Sequence, residues 1–277
     1  MSRVTHWVRF RHQAKTGFGT LTPSGVCVHD GEMFAIARPT GQVLLLQDVE
    51  LLAPAGPTKI IALWNNFRAL AAKLNSPEPA EPLYLLKAPT SVTAPGAVIK
   101  RPASYSGKTT YEGELGSVIG KTCTGVSPDQ AAAVIFGYTC VNDVTTADIL
   151  NRDVAFAQWA RAKSFDGYGP FGPVIASGID PSTLVVRTIL NGVERQNYPI
   201  ADMIFSAQQL VSRISHDMTL MPGDLICCGT SIGVGVMKEP DNRVTVAARG
   251  AQGEVVSACS TGTEGAHHKG VDWSQAK

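Results

Sequence analysis

The chain has 277 residues, of which 44% are hydrophobic and 17% charged, and its formal net charge is +1. This length buries a sizeable core, as one large domain or a large and a small one, and the near-neutral charge without a basic block argues against nucleic acid as a partner. No apolar run is long enough to cross a bilayer, the N-terminus has no apolar signal core, and six scattered cysteines (Cys27, Cys123, Cys140, Cys227, Cys228, Cys259) lack metal-ligand spacing, so reduced thiols in a cytoplasmic protein are expected.

Residues 3 to about 53 alternate polar and apolar in short runs such as Trp7 to Phe10, Gly25 to His29, Met33 to Ala37 and Val43 to Leu46. Turn signals at His29-Asp30-Gly31 and Pro39-Thr40-Gly41 separate them, which predicts a small antiparallel β unit over residues 1–56. Pro54, Gly56 and Pro57 mark the linker to a larger unit over 57–256. In that unit Lys59 to Leu63 reads as a buried strand. Trp64 to Leu74 carries Phe67, Leu70, Ala71 and Leu74 at helical spacing. The proline-rich stretch 76–82 is a loop, Leu83 to Leu86 a short strand, and 93–110 irregular.

Ser127-Pro128-Asp129-Gln130 opens a helix, with a cap, a proline in the first turn and an acid for the dipole. Ala131 to Ile135 are expected to continue that helix into an apolar strand ending near Asp143. The spacing predicts a helix over 148–162, with Leu150, Val154 and Ala157 on one face. Ser206 to Gln209 is a capping box ahead of Leu210, Val211 and Ile214. Strands at 184–190, 225–228 and 243–248 complete a β-rich α+β pattern. From Ser257 the composition turns to Ser, Thr, Gly and His, which predicts a mobile tail over 257–277.

The chemistry concentrates at Tyr111-Glu112-Gly113-Glu114-Leu115-Gly116. In an extended strand Glu112 and Glu114 point to one face. Adjacent carboxylates repel and stay ionised only with positive charge between them. With Asp143 as a third oxygen ligand they would suit a hard divalent cation, Mg²⁺ or Mn²⁺. Glu-x-Glu alone is a weak signal and more often marks the solvated face of a strand.

The surroundings add to this. Tyr111 to Lys121, Gly137 to Thr145, Trp159 to Asp166, Gly172 to Ile175 and Met218 to Ile226, followed by Gly229-Thr230 and Gly233-Val234-Gly235, resemble the blocks of the fumarylacetoacetate hydrolase family, in the family's order and over roughly residues 60 to 250. The resemblance implies a curled β-sheet roll with flanking helices and a small N-terminal β domain. It implies a metal-dependent enzyme acting on a small-molecule 2-oxo acid or its enol, as a homodimer, with Glu112, Glu114 and Asp143 as metal ligands. It also implies that Lys163 faces the bound substrate and exchanges protons, with a pKa lowered by the nearby cation. Thr230 would hydrogen-bond the substrate carboxylate, although Ser231 stands where the family has proline. Lys87 is a weaker substrate contact. The family's first chemistry is hydrolysis of a C–C bond in a β-diketo acid such as an acylpyruvate, of the kind met in aromatic-ring catabolism.

Two departures bear on that chemistry. The family's hydrolases and decarboxylases carry a lid histidine and glutamate, and Leu70 and Lys73 occupy those positions here. After Asp143 the family often has arginine and glutamine where this chain has Ala147 and Leu150. Keto–enol or double-bond isomerisation and decarboxylation therefore stand beside hydrolysis, and a metal-binding protein without turnover is a further possibility. Two other patterns are discounted. Gly167 to Gly172 fits Gly-x-Gly-x-x-Gly, but Pro170 and Pro173 argue for a loop. Gly229 to Gly233 fits Gly-x-Ser-x-Gly with Asp241 and His267 downstream, but no helix follows Ser231. His216 reads as structural.

Overall fold

A computed structural model describes residues 4–238, 241–250 and 255–263. Four antiparallel strands come first: β1 (Thr5–His12), β2 (Lys15–Thr22), β3 (Gly25–Gly31) and β4 (Ala37–Leu44). A short β5 (Glu50–Leu51) returns to β1. There follow β6 (Ile60–Trp64), α1 (Arg68–Lys73), β7 (Leu83–Lys87), β8 (Val92–Thr93), β9 (Val98–Ile99), β10 (Thr109–Tyr111), β11 (Gly113–Ile119), α2 (Pro128–Ala131) and β12 (Ile135–Asn142). Next are β13 (Thr145–Thr146), α3 (Ala147–Leu150), α4 (Trp159–Lys163), β14 (Gly169–Ser177), β15 (Val185–Leu190) and β16 (Val193–Pro199). The last elements are α5 (Ala207–Asp217), β17 (Leu225–Cys227), β18 (Gly235–Val236), β19 (Arg243–Arg249) and β20 (Val255–Thr263).

This is a β-rich α+β fold. The main sheet runs β4-β3-β2-β1-β14-β12-β11-β17-β6-β7, with β5 and β8 attached to β1 and β14. A second sheet runs β16-β15-β19-β20-β9. One face of the main sheet packs on the second sheet, where Leu115, Ile119 and Cys140 meet Val186, Val244, Val246 and Cys259. Its other face carries Val118, Val141, Leu225, Ile60, Phe171 and Ile175. With both faces covered, all seven residues of β11 are buried, as expected of a strand inside a two-sided core. The site grows from the end of this strand.

The expected N-terminal strands form, but β1 also pairs with β14, from Thr5 opposite Ser177 to Val8 opposite Val174. One continuous sheet therefore crosses the boundary drawn at residue 56. No helix among the described residues is long and apolar enough to cross a membrane. Both capping boxes are made. Ser127 Oγ accepts from Gln130 N and Ser206 Oγ from Gln209 N, each at 3.3 Å, while each glutamine side chain accepts from the cap's own N–H.

Several local expectations are corrected. The helix predicted over 64–74 loses its first turn: Trp64 ends β6 and Asn65 takes φ 55°. Asn66 then accepts from Phe205 N at 2.9 Å and donates to Cys228 O at 2.9 Å, which keeps the backbone out of the helix. The helix from Ser127 stops at Ala131, and Ile135 already belongs to β12. The helix predicted over 148–162 is broken into α3 and α4. Between them Asp153 Oδ1 accepts from Ala155 N at 2.9 Å, a local turn that competes with the helix, and Gln158 N reaches back to Leu150 O at 2.9 Å. Val154 and Phe156 are left on the outside. Pro170 and Pro173 lie in strand β14, not in a loop; the register against β12 shifts between Tyr138 and Cys140. The mobile tail drawn from Ser257 is corrected as far as Thr263, because Val255–Thr263 forms β20 between β19 and β9. Its small polar residues suit a crowded strand: Ser257 Oγ donates to Gly172 O at 3.1 Å, and Thr245 and Ser260 hydroxyls pair at 2.8 Å. Residues 264–277 of that tail, with His267, lie outside the described residues.

Candidate active site

Glu112 falls in the break between β10 and β11, Glu114 on β11, and Asp143 just past the end of β12. Asp143 N donates to Glu112 O at 2.8 Å, and Asn142 Oδ1 accepts from Glu112 N at 3.1 Å. These bonds tie the two strand ends together, so residues some thirty apart in sequence present their acids to one point. One carboxylate oxygen from each of Glu112, Glu114 and Asp143 lies within 4.8 Å of the others. Glu114 and Asp143 are fully buried and Glu112 is partly exposed.

Two lysines close on the group. Lys163, the last residue of α4, donates to Asp143 Oδ2 at 2.6 Å, Glu112 Oε2 at 3.0 Å and Thr145 Oγ1 at 2.7 Å. Lys87, the last residue of β7, pairs with Asp143 Oδ1 and donates to Tyr168 O at 2.9 Å. Each oxygen of Asp143 thus has its own ammonium. Thr145 Oγ1 also donates to Glu112 Oε1 at 2.6 Å. Glu114 Oε2 accepts from Gly229 N at 2.9 Å, and its Oε1 has no partner among the described residues.

The electrostatics follow from these neighbours. Burial raises the Glu114 pKa well above its ordinary 4.5, and the charges of Asp143 and Glu112 add to that more than Lys163 and Gly229 N–H remove. Burial also opposes ionisation of Asp143, but Lys163 and Lys87 outweigh it and the pKa ends lowered. For Lys163, burial alone would lower the pKa. Asp143, Glu112 and Glu114 together raise it above its ordinary 10.5. Without a cation, the protein's own charges hold Lys163 as an ammonium; the lowered pKa expected from sequence belongs to the cation-bound site.

The chemistry of the donor set fits a divalent cation. It is all oxygen, it is three carboxylates, and one oxygen of a buried acid has no partner among the described residues, where an unpaired buried acceptor is costly. Glu112, Glu114 and Asp143 are the residues that could hold it.

The remaining expected residues are placed as follows. The Thr230 hydroxyl donates to Gly113 O at 3.0 Å and accepts from Gln196 Nε2 at 2.8 Å, so in this conformation it holds the backbone between the two glutamates. The Lys87 side chain has no exposed surface and serves Asp143. Leu70, which the sequence reading set at the lid-histidine position, packs against the main core. His216 Nδ1 bonds Ser212 O within α5 at 2.8 Å.

Sequence reasoning missed Thr145, Gln196 and Tyr198. Gln196 Oε1 accepts from Gly113 N at 3.0 Å, and Tyr198 OH donates to Gly113 O at 2.6 Å. Both peptide groups of the residue between Glu112 and Glu114 are thereby gripped from β16. A side chain at Gly113 would put its Cβ 1.9 Å from Thr188 Oγ1, so only glycine fits. Thr145 lies in the Gly137–Thr145 block and was findable there. Gln196 and Tyr198 carry no motif. Outer residues that orient ligands typically change metal affinity by about 10–100-fold. Gln196→Met, which keeps the volume and loses the side-chain hydrogen bonds to Gly113 N, Thr230 Oγ1, Ser231 O and Ile232 O, is expected to weaken Mn²⁺ binding by about that factor in calorimetric titration.

The family model described as fumarylacetoacetate (FAA) hydrolase C-terminal matches residues 59–264, and a model described as Rv2993c-like, N-terminal, matches residues 5–54. Oxaloacetate tautomerase YisK of Bacillus subtilis is 40% identical over 197 residues, which are 69% of this chain and 64% of that protein. A 2,4-didehydro-3-deoxy-L-rhamnonate hydrolase of Sphingomonas is 37% identical over 67% of this chain and 65% of its own length. Among solved structures, a 2-hydroxyhepta-2,4-diene-1,7-dioate isomerase from Mycobacterium marinum superposes with a TM-score of 0.83 at 32% identity, covering 94% of this chain and 98% of that one.

Proposed function

The chain belongs to the fumarylacetoacetate hydrolase family, and from that premise we propose that it interconverts the keto and enol forms of a 2-oxo acid with Mg²⁺ or Mn²⁺ held by Glu112, Glu114 and Asp143. The observation that carries this reading is the position of Lys163 Nζ, within hydrogen-bond distance of Glu112, Asp143 and Thr145 at once. Hydrolysis, the first expectation from sequence, needs a group that activates water. The positions of the family's lid pair hold Leu70 and Lys73. The groups hydrogen-bonded to the three carboxylates are lysine ammoniums, a threonine hydroxyl and a backbone N–H. Apart from Lys163, which this reading assigns to the carbon-bound proton, none of these is a base that could activate water. The name of the tautomerase relative points the same way.

A divalent cation at the three acids would supply Lewis-acid polarisation of the 2-oxo acid and offset the acids' pull on Lys163. The rest falls to the chain itself. Asp143 and Glu112 fix the Lys163 ammonium, and Thr145 Oγ1 bridges it to Glu112 Oε1. Lys163 Nζ holds the proton that passes to and from the carbon beside the ketone. Lys87 anchors Asp143 from the opposite side, so Asp143 keeps one orientation while Lys163 exchanges its proton. Gly229 N–H orients Glu114.

The test is deuterium exchange at C3 of 2-oxo acids with Mg²⁺ or Mn²⁺, followed by NMR. Exchange without C–C cleavage is the expected result, and cleavage products at a comparable rate would restore the hydrolase reading. Lys163→Met is expected to slow the exchange by about 10²–10⁴-fold, the usual contribution of a positioned proton-transfer group.

A further inference from the structure

Of the three acids Glu114 is the least tied. Its Oε2 accepts from Gly229 N at 2.9 Å, and this is the carboxylate's one hydrogen bond among the described residues, since Oε1 has none. The direction in which Glu114 points is therefore set by a backbone N–H. That N–H belongs to the peptide group between Cys228 and Gly229, whose other polar end, Cys228 O, accepts from Asn66 Nδ2 at 2.9 Å. In a planar trans peptide the N–H and C=O point in opposite directions and cannot turn separately. A side chain that holds the oxygen thereby aims the hydrogen. The bonds run head to tail from the Asn66 amide through the peptide to Glu114, and hydrogen bonds in series polarise one another.

Asn66 is itself held fast. It is buried, its Oδ1 accepts from Phe205 N at 2.9 Å, and its Nδ2 donates to Phe205 O at 3.2 Å as well as to Cys228 O. A flipped amide would set its oxygen against two carbonyls and its NH2 against an N–H, so the partners fix which way it faces. Its own backbone O accepts from Ile204 N at 2.8 Å. The approach is close: Gly229 takes φ 93°, in the left-handed region, and a Cβ there would lie 3.3 Å from Asn66 Cβ. The missing first turn of the helix ahead of α1, with Asn65 at φ 55°, leaves the Asn66 side chain free to make these bonds.

We propose that Asn66 is a positioning residue of the metal site, acting on Glu114 through the Cys228–Gly229 peptide, and that it thereby links the segment entering α1 to the affinity for the divalent cation. The inference rests on the reading of the three acids as a cation site. Every side-chain hydrogen bond of Asn66 goes to backbone, so it touches none of the three carboxylates and acts only through the peptide it holds.

The test compares Asn66→Asp with Asn65→Gly in the full-length chain. Aspartate keeps the shape of asparagine, but when ionised it cannot donate to Cys228 O. Asn65→Gly removes the neighbouring side chain, with its bonds to Ser76 Oγ at 3.5 Å and Pro77 O at 3.1 Å, at a left-handed position that glycine adopts readily. It disturbs the same loop and leaves the hold on the peptide in place. Calorimetric titration with Mn²⁺ is expected to show binding about 10–100-fold weaker in Asn66→Asp, the usual effect of an outer residue that orients a ligand, and parent-like affinity in Asn65→Gly. In the chelator-treated proteins the Gly229 N–H should exchange with solvent faster in Asn66→Asp alone. Equal Mn²⁺ affinity in the parent and Asn66→Asp, or the same loss in both variants, would overturn the inference and leave the cation site standing. A parent that binds no ion would defeat both. Should Asn66→Asp fail to fold, NMR of the chelator-treated parent and Glu114→Gln decides. With the carboxylate charge removed, the Gly229 N–H and the Asn66 side-chain amide signals should both shift while that of Asn65 stays in place, and an unmoved Asn66 signal would overturn the inference.

Discussion

Asp143→Ala is expected to destabilise the metal-free protein by about 3–5 kcal/mol, the range for removing one partner of a buried ion pair. The effect should be large because Asp143 serves two ammoniums at once. Lys87 is wholly buried and Lys163 nearly so, and with the acid gone Lys87 keeps only Tyr168 O, while Lys163 keeps Glu112 and Thr145. Part of the loss will be recovered if either lysine sheds its proton. Urea denaturation in the presence of a chelator reads the change, and an effect below about 1 kcal/mol, the range of exposed pairs, would mean that the two lysines are not held as the geometry has them.

Glu114→Gln should act in the opposite sense on the same protein. Glu114 is buried among like charges and its ionised form is disfavoured. An amide keeps the acceptor for Gly229 N–H and removes the charge. The metal-free variant is therefore expected to be as stable as the parent at neutral pH, or more so, while Mn²⁺ affinity falls by more than the roughly 10–100-fold typical of outer residues. The pH dependence follows from the raised pKa. Between the ordinary 4.5 and the elevated folded value, the folded state binds a proton that the unfolded state has released, so this group's contribution to stability declines as pH rises through that window. The difference in stability between parent and variant should grow in the variant's favour over the same range. Chelator-treated samples unfolded at several pH values check both signs.

Much of this site is legible in sequence because its parts sit on short ordered blocks. Glu112, Glu114, Asp143 and Lys163, all picked out by those blocks, lie together in space, and Thr145 belongs to the same block as Asp143. What is not legible is the support from β16. Gln196 and Tyr198 act on the backbone of Gly113, and a side chain that binds a peptide group leaves no complementary residue type to look for. The raised Lys163 pKa of the metal-free site is illegible for a related reason, since it depends on counting three acids around one ammonium in three dimensions. The fold follows the same division. The cap at Ser127 and the capping box at Ser206 are local signals and both form, the first also closing into a box with Gln130. The helix expected over 148–162 fails because Asp153 makes a competing turn and because Val154 has no surface to pack on. The strand at 255–263 escapes a composition argument, since serine and threonine hydroxyls are satisfied there by neighbouring strands rather than by water.

The most direct test of the central claim is a calorimetric titration of the chelator-treated protein with Mn²⁺, run beside Glu114→Gln and Asp143→Asn. One ion bound per chain in the parent, with binding greatly weakened in both variants, is the result the site predicts. A parent that binds no ion, or variants that bind it as tightly as the parent, would contradict it.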